Sequence, residues 1–325
     1  MVLPGGTLAT ANAGHAVEGT FAVRHGAFLA PNGRILATVR AHRTPDGQDW
    51  RLSVANALLP RLQQHVHRFS DPTSPTVLQP DPDFVEATTI STAVDSHVAP
   101  FVPIGISYQL VEQNEAATAA GRDEELVAAT EAVLGEPSAP RDIPWASLLP
   151  AESSLDQRGF IDYHKGCYLG QEVAARGKFR GVTRKLVLPV CVLGEGCGVA
   201  QPSTLGAFVP ELLKVGQEEM PPPGTKFVVD GEGGAERGGV RRRTRRVRAD
   251  AELLSSHDEY GVGSARVRLD ALPCGISTPR DKISSVILRP LTKEEDPEKG
   301  IDSTVRLCVI APQWWVGHQA YGEEE

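Results

Sequence analysis

The chain has 325 residues and a formal net charge of −8, with 41% hydrophobic and 23% charged residues. This length accommodates two domains, and the composition is ordinary for a globular protein. The negative net charge excludes a general affinity for nucleic acid or anionic membranes. No apolar run approaches the roughly 20 residues that a membrane span needs. Five cysteines without a secretory signal indicate a reducing compartment rather than a disulfide framework.

The N-terminal half begins with a predicted hairpin. Residues 20–29 and 34–42 have strand-like composition, and the Asn32-Gly33 pair between them is typical of a tight β-turn. A third strand is expected over 50–55. Asn56 then resembles a helix N-cap, because the apolar residues that follow it repeat at helical spacing.

The rest of the chain changes from helix to strand. Residues 71–103 are rich in Pro, Ser, Thr and Asp, with a β-branched run at 85–90, and 121–134 form a predicted helix stopped by Gly135. Beyond about residue 182 short strands alternate with turns, which is typical of a small barrel or sandwich. We expect these strands at 182–192, 225–229, 260–269, 284–288 and 305–310.

Cys167 is the candidate reactive residue. It lies between two glycines, Gly166 and Gly170, just before the predicted helix formers Gln171 and Glu172. A thiol at a helix N-terminus beside the cation of Lys165 is favoured as thiolate, the form that attacks or binds metal. The alternative is a buried, inert cysteine, which is the commoner fate of a single thiol.

The residues around Cys167 resemble the signature of the YgfZ-type folate-binding proteins. The matching string is Lys165-Gly166-Cys167-Tyr168-Leu169-Gly170-Gln171-Glu172. Flanking residues 149–156 and 181–185 are similar to the segments on either side of that signature, and Pro312-Gln313-Trp314-Trp315 is similar to the family's C-terminal end. The mitochondrial members are iron–sulfur cluster assembly factors related to the glycine cleavage T-protein, an aminomethyltransferase.

The resemblance implies an α+β fold: a T-protein-like, folate-binding-type core over residues 1–181 and a small β-barrel over 182–325. Compared with the family, the first domain is shortened at its N-terminus and around 88–120. The first 20 residues contain no Arg or Lys, so they are not an intact mitochondrial presequence. The implied location is the mitochondrial matrix, with a bacterial-type cytoplasm as the alternative.

The resemblance also implies a function in the maturation of 4Fe–4S enzymes. Cys167 ligates a transient cluster, and because one cysteine cannot complete a ligand set, an A-type scaffold protein supplies the other ligands. His164 is a conceivable further ligand. Aminomethyltransferase activity is not expected, because aspartate occupies the position of Cys167 in those enzymes. The alternatives are a folate-dependent one-carbon enzyme or folate sensor, and a degenerate paralogue without a pocket.

Three secondary features have two interpretations each. The resemblance places Glu152 against the pteridine ring of tetrahydrofolate, whereas its local sequence favours a helix-capping or surface acid. The arginine run at 241–248 fits an exposed loop better than a nucleic-acid site, because no aromatic residues interleave it. Cys191 and Cys197 lack a partner pair at zinc spacing, and Cys274 and Cys308 are expected to pack.

Overall fold

A computed structural model describes residues 24–43, 50–74, 76–92, 104–112, 124–193, 219–230, 248–283, 285–297, 300–301, 303–312 and 314–315. The chain divides into two compact units. The first comprises Met1–Thr89, Ile106–Arg122 and Ser138–Val182. The second comprises Ile90–Gly105, Asp123–Pro137 and Thr183–Glu325.

The first unit contains a three-stranded antiparallel sheet in the order β1 (Arg24–Leu29), β2 (Ile35–Arg43), β3 (Trp50–Ser53). The predicted hairpin joins β1 to β2, and Gly33 adopts a φ of +73° in its turn, a conformation open mainly to glycine. Six of the nine residues of β2 are buried, and burial alternates only over residues 37–41, where one face of the strand packs on the core.

One α-helix and two 3₁₀ turns follow the sheet in the described part of this unit up to Ser153. Helix α1 (Leu59–Phe69) follows a 3₁₀ turn at Asn56–Leu58 and buries Leu62. The expected N-cap at Asn56 is wrong, because the 3₁₀ turn displaces the start of the α-helix. A second 3₁₀ turn spans Pro150–Ser153.

Two further strands, β4 (Phe84–Thr92) and β5 (Ile104–Glu112), pair with each other in a separate two-stranded sheet. The predicted β-branched run therefore forms a strand. Residues of these strands fall in both units, with the divisions after Thr89 and after Gly105.

The second unit contains a closed six-stranded barrel. Its strands are β6 (Lys185–Val192), β7 (Lys226–Val229), β8 (Ala251–His257), β9 (Val262–Arg268), β10 (Ile287–Pro290) and β11 (Leu307–Val309), in the order β10-β11-β6-β9-β8-β7. Leu186, Phe227, Leu253, Leu288 and Leu307 fill its interior. The predicted α+β class and C-terminal barrel are confirmed, and the four-residue helix at Arg280–Ile283 lies between β9 and β10.

Helix α2 (Glu124–Leu134) groups with the barrel, whereas the prediction from the sequence placed this segment in the first domain. The reason is packing: Ala129 and Val133 of α2 are buried against Val262 and Ile310. Gly135 ends the helix with a φ of +69°, as predicted.

The two C-terminal tryptophans also belong to the second unit. Trp314 Nε1 donates to the carbonyl of Gly135, and Trp315 Nε1 donates to the carbonyl of Thr278. Trp315 is buried in the barrel core. Among the described residues no helix is both long and apolar enough to span a bilayer.

Candidate functional site

Cys167 lies in a short irregular segment, residues 162–170, which we call the thiol loop. The Asp162 carboxylate accepts the backbone N–H groups of His164 at 2.8 Å and Lys165 at 3.2 Å, so the start of the loop is a side-chain-stabilised turn. Helix α3 (Gln171–Arg180) begins after Gly170. Cys167 thus precedes the helix by one turn rather than lying in it, and its side chain is exposed.

The positive charge of Lys165 is held within the loop. Its Nζ lies 4.5 Å from the centre of the Tyr168 ring, within the range of a cation–π contact. Burial lowers the pKa of Lys165, whereas burial and the nearby Asp162 carboxylate raise the pKa of Tyr168. Lys165 and Tyr168, which lie on either side of Cys167 in the chain, therefore contact each other, and the thiol between them is exposed.

Two glycines fix the C-terminal end of the thiol loop against the β1–β2 turn. A Cβ on Gly170 would lie 2.7 Å from the Ala30 carbonyl oxygen and 2.9 Å from Gly33 Cα. A Cβ on Gly33 would lie 2.7 Å from Val173 Cβ. Both glycines have a positive φ, +83° at Gly170 and +73° at Gly33. Because two backbones meet here without side chains between them, the loop is positioned by the predicted hairpin.

The N-terminal end of the loop is anchored through Tyr163. Its hydroxyl donates to Asp156 Oδ1 at 2.8 Å, and Asp156 Oδ2 lies 3.4 Å from Lys178 Nζ of α3. The Tyr163 ring contacts Phe179 edge to face, with centroids 5.6 Å apart. Side chains at one end and glycine backbone at the other thus hold the exposed thiol on a defined loop.

Glu152 caps its own turn. Its Oε2 accepts the backbone N–H of Leu149 at 3.0 Å, where the 3₁₀ turn Pro150–Ser153 begins. This contact corresponds to the capping interpretation from the sequence. A role of Glu152 in binding tetrahydrofolate stays a prediction.

The sequence did not reveal a partly buried ion cluster on the three-stranded sheet. Glu86 of β4 accepts hydrogen bonds from Arg40 Nη2 at 2.6 Å and Ser53 Oγ at 2.9 Å, and its Oε1 lies 2.8 Å from His42 Nε2. Burial alone would raise the pKa of Glu86, but the hydrogen bonds from His42 and Arg40 lower it to about 2. Glu86 therefore stays ionised as the centre of a polar network.

An aromatic group adjoins that cluster. The imidazole of His25 stacks on Phe160 with centroids 4.7 Å apart and meets Tyr108 edge to face at 5.7 Å. Arg40 and Arg158 cover the rings of Tyr108 and Phe160 respectively. Burial and the two cations lower the pKa of His25 to about 3, so this histidine is a neutral packing group. Only the β-hairpin location of His25 was foreseeable; its ring partners are distant in sequence.

The other cysteines are placed as follows. Cys191 and Cys308 are directly opposite each other on β6 and β11, and a hydrogen bond from Cys191 lowers the pKa of Cys308. Cys274 is exposed, and Cys197 lies outside the described residues. Of the arginine run only Arg248 is described. Within the described part of the chain, no cluster of three or more His, Cys, Asp or Glu residues is arranged to hold a metal ion.

Comparison with known proteins places the chain near one group of relatives. It is 32% identical over 179 residues to a protein of Mycosarcoma maydis named iron-sulfur cluster assembly factor IBA57 homolog, mitochondrial, covering 50% of this chain and 44% of the relative. A homologue of the same name from Chaetomium globosum is 32% identical, and the match covers 54% of this chain and 47% of the relative. Another from Pyricularia oryzae is 26% identical, and the match covers 89% of this chain and 74% of the relative.

The resemblance drawn from the thiol signature is confirmed. This chain is similar to proteins named mitochondrial iron–sulfur cluster assembly factors. The chain spans somewhat under half the length of the first two relatives. No family model matches it. A solved glycine cleavage system aminomethyltransferase T from Bartonella henselae is similar at a TM-score of 0.46 and 10% identity, covering 90% of this chain and 75% of that one.

Proposed function

We propose that this protein acts in iron–sulfur cluster assembly and promotes the maturation of mitochondrial 4Fe–4S enzymes. The observation that carries the proposal is the exposed Cys167, held on a loop that is fixed at both ends. The homology to proteins named as cluster assembly factors supports it. An exposed thiol in a constrained loop is suited to ligate iron that another protein presents.

The number of ligands that the signature provides indicates that the cluster is shared. Cluster iron is normally held by a closed set of thiolate or imidazole ligands, and the signature contributes one cysteine. His164 is three residues from Cys167, and Asp162 fixes its backbone. The remaining ligands come from a partner, for which the A-type scaffold proteins are the proposed class. The cluster is then cargo in transfer and not a resident cofactor.

The test is to mix the purified protein with a cluster-loaded A-type scaffold and record thiolate-to-iron charge-transfer absorption. Wild-type protein should give a coloured heterocomplex. Cys167→Ser should abolish the complex while leaving the fold intact, because the exposed serine is nearly isosteric. Cys274→Ser is the matched control, since Cys274 is also exposed but lies in the second unit.

Three outcomes contradict the proposal. The first is a coloured complex of unchanged yield with the Cys167→Ser variant. The second is equal loss of the complex in both serine variants, which would indicate a general effect of removing surface thiols. Restoration of aconitase-type activity in a deficient cell by the Cys167→Ser variant would equally show that the thiol is not a ligand.

A further inference from the structure

An exposed apolar patch adjoins the thiol loop. It consists of Tyr163 and Phe179, whose rings are in contact, and of Val182, which follows Phe179 by three residues, and we call it the Phe179 patch. Phe179 is 69% exposed and Val182 is 85% exposed, the two highest values among the exposed large apolar residues described. Exposed apolar residues are ordinary when they occur singly, but a cluster beside a functional loop indicates an interaction surface.

Two side chains of the patch are held by contacts within the first unit. The hydroxyl of Tyr163 donates to Asp156, which is nearly buried, and the Tyr163 ring is edge-on to Phe179 and 5.8 Å from Lys178 Nζ. An aromatic pair fixed in this way loses little conformational entropy on association. Such preorganised aromatic residues are enriched among those that dominate binding energy at protein interfaces.

The charge around the patch differs in sign from that of the whole chain. Residues 156–182 contain five Arg or Lys and three Asp or Glu, an excess of two positive charges in a chain of net charge −8. Lys178 Nζ lies 5.8 Å from the Tyr163 ring, and Arg176 is exposed on α3, three residues before Phe179. A partner that approaches this part of the chain meets an apolar centre with a positively charged rim, and the complementary surface is apolar with an acidic rim.

From these observations we propose that the Phe179 patch is the docking surface for the protein that shares the cluster, and that this partner presents an apolar side chain surrounded by carboxylates. The inference rests on the proposed function of Cys167 and adds to it the surface that selects the partner. Tyr163 belongs to both the patch and the thiol loop, so a partner seated on the patch comes next to the thiol. Recognition and ligation then use neighbouring but separate residues.

The test separates docking from ligation. Val182→Asp places a carboxylate in the patch, and Val77→Asp, at a valine 64% exposed on another segment, is the matched control. Binding of each variant to an A-type scaffold is measured by titration calorimetry, once with the apo scaffold and once with the cluster-loaded form. Val182→Asp should raise Kd about tenfold or more with both forms, whereas Val77→Asp should leave it within about twofold.

Added salt should weaken wild-type binding to the apo scaffold, because the rims of the two surfaces are oppositely charged. Equal Kd values for the two aspartate variants, or a Kd that salt does not change, would overturn the docking surface. If Val182→Asp alters self-association in sedimentation while scaffold binding is unchanged, the patch joins two copies of this chain and the proposal is wrong. Cys167→Ser should weaken binding of the loaded form alone; if it weakens neither form while Val182→Asp weakens both, thiol ligation fails and the docking surface stands.

Discussion

Replacing Gly170 by alanine tests whether the glycine contact with the β1–β2 turn positions the thiol loop. At a φ of +83° an alanine is strained by about 1–2 kcal/mol relative to glycine. Its Cβ would also lie 2.7 Å from a carbonyl oxygen and 2.9 Å from Gly33 Cα, and both obstacles are backbone atoms that cannot rotate away. Separating the two segments adds about 1–3 kcal/mol, as overpacking does elsewhere.

We therefore expect Gly170→Ala to lower the free energy of unfolding of the first unit by about 2–5 kcal/mol. Gly166→Ala, in the same loop, is the matched control. Nothing lies within 4 Å of a Cβ at Gly166, and its φ is not positive. Its effect should stay within about 0.5 kcal/mol, as for an ordinary surface substitution.

The assay is native-state hydrogen exchange of the amides of β1 and β2, because two units need not unfold together and a global transition would average them. Barrel amides of β6 and β9 provide the internal reference. Gly170→Ala should reduce protection in β1 and β2 and lower the yield of coloured complex at a temperature where the unit remains folded. Equal protection in the Gly170→Ala and Gly166→Ala variants would refute the positioning role of the contact.

Two further predictions concern the polar residues of the first unit. The pKa of His25 is lowered to about 3 in the folded state, so its contribution to stability is complete above about pH 6.5, the pKa of an unfolded histidine, and is lost as the pH falls toward 3. The His25→Phe variant should therefore lose less hydrogen-exchange protection in β1 between pH 7 and pH 5 than the wild-type protein. An unchanged pH dependence would contradict this assignment. Glu86→Gln leaves the Arg40 guanidinium without its carboxylate and should lower the free energy of unfolding by about 2–4 kcal/mol, measured by denaturant titration. The control is Asp81→Asn, which removes the exposed partner of Arg51 and should leave the free energy of unfolding unchanged.

Local sequence signals predicted the elements whose determinants are close in the chain. The Asn-Gly turn, the helix ended by Gly135 and most barrel strands depend on turn chemistry or on short-range periodicity. Strand β8 was missed for a specific reason. The register shifts between Leu253 and Ser255, and the residues buried beyond that point are Ser255 and His257, so the apolar alternation stops halfway along the strand.

The candidate site was predictable only in part. The position of Cys167 in a recognisable string was sufficient to select it, and the helix begins at Gln171, the first of the helix formers named from the sequence. Long-range partners were not predictable. His25 meets Phe160, and Arg40 meets Glu86, across separations that no local pattern encodes.

Gly33 and Gly170 are the residues through which the β1–β2 hairpin contacts the thiol loop. The turn before β2 needs a residue of positive φ, and Gly33 supplies it; the helix after the thiol loop is preceded by a second such residue, Gly170. Each glycine serves its own turn, and in addition the two backbones are in contact. This contact stabilises the first unit, and it also fixes the position of the loop that carries the thiol. A thiol that reacted with small diffusible molecules would need exposure alone, whereas a thiol that completes a ligand set on another protein must meet fixed iron at a fixed distance. The backbone-to-backbone seat of Gly170 thus supports a ligand offered to a structured partner.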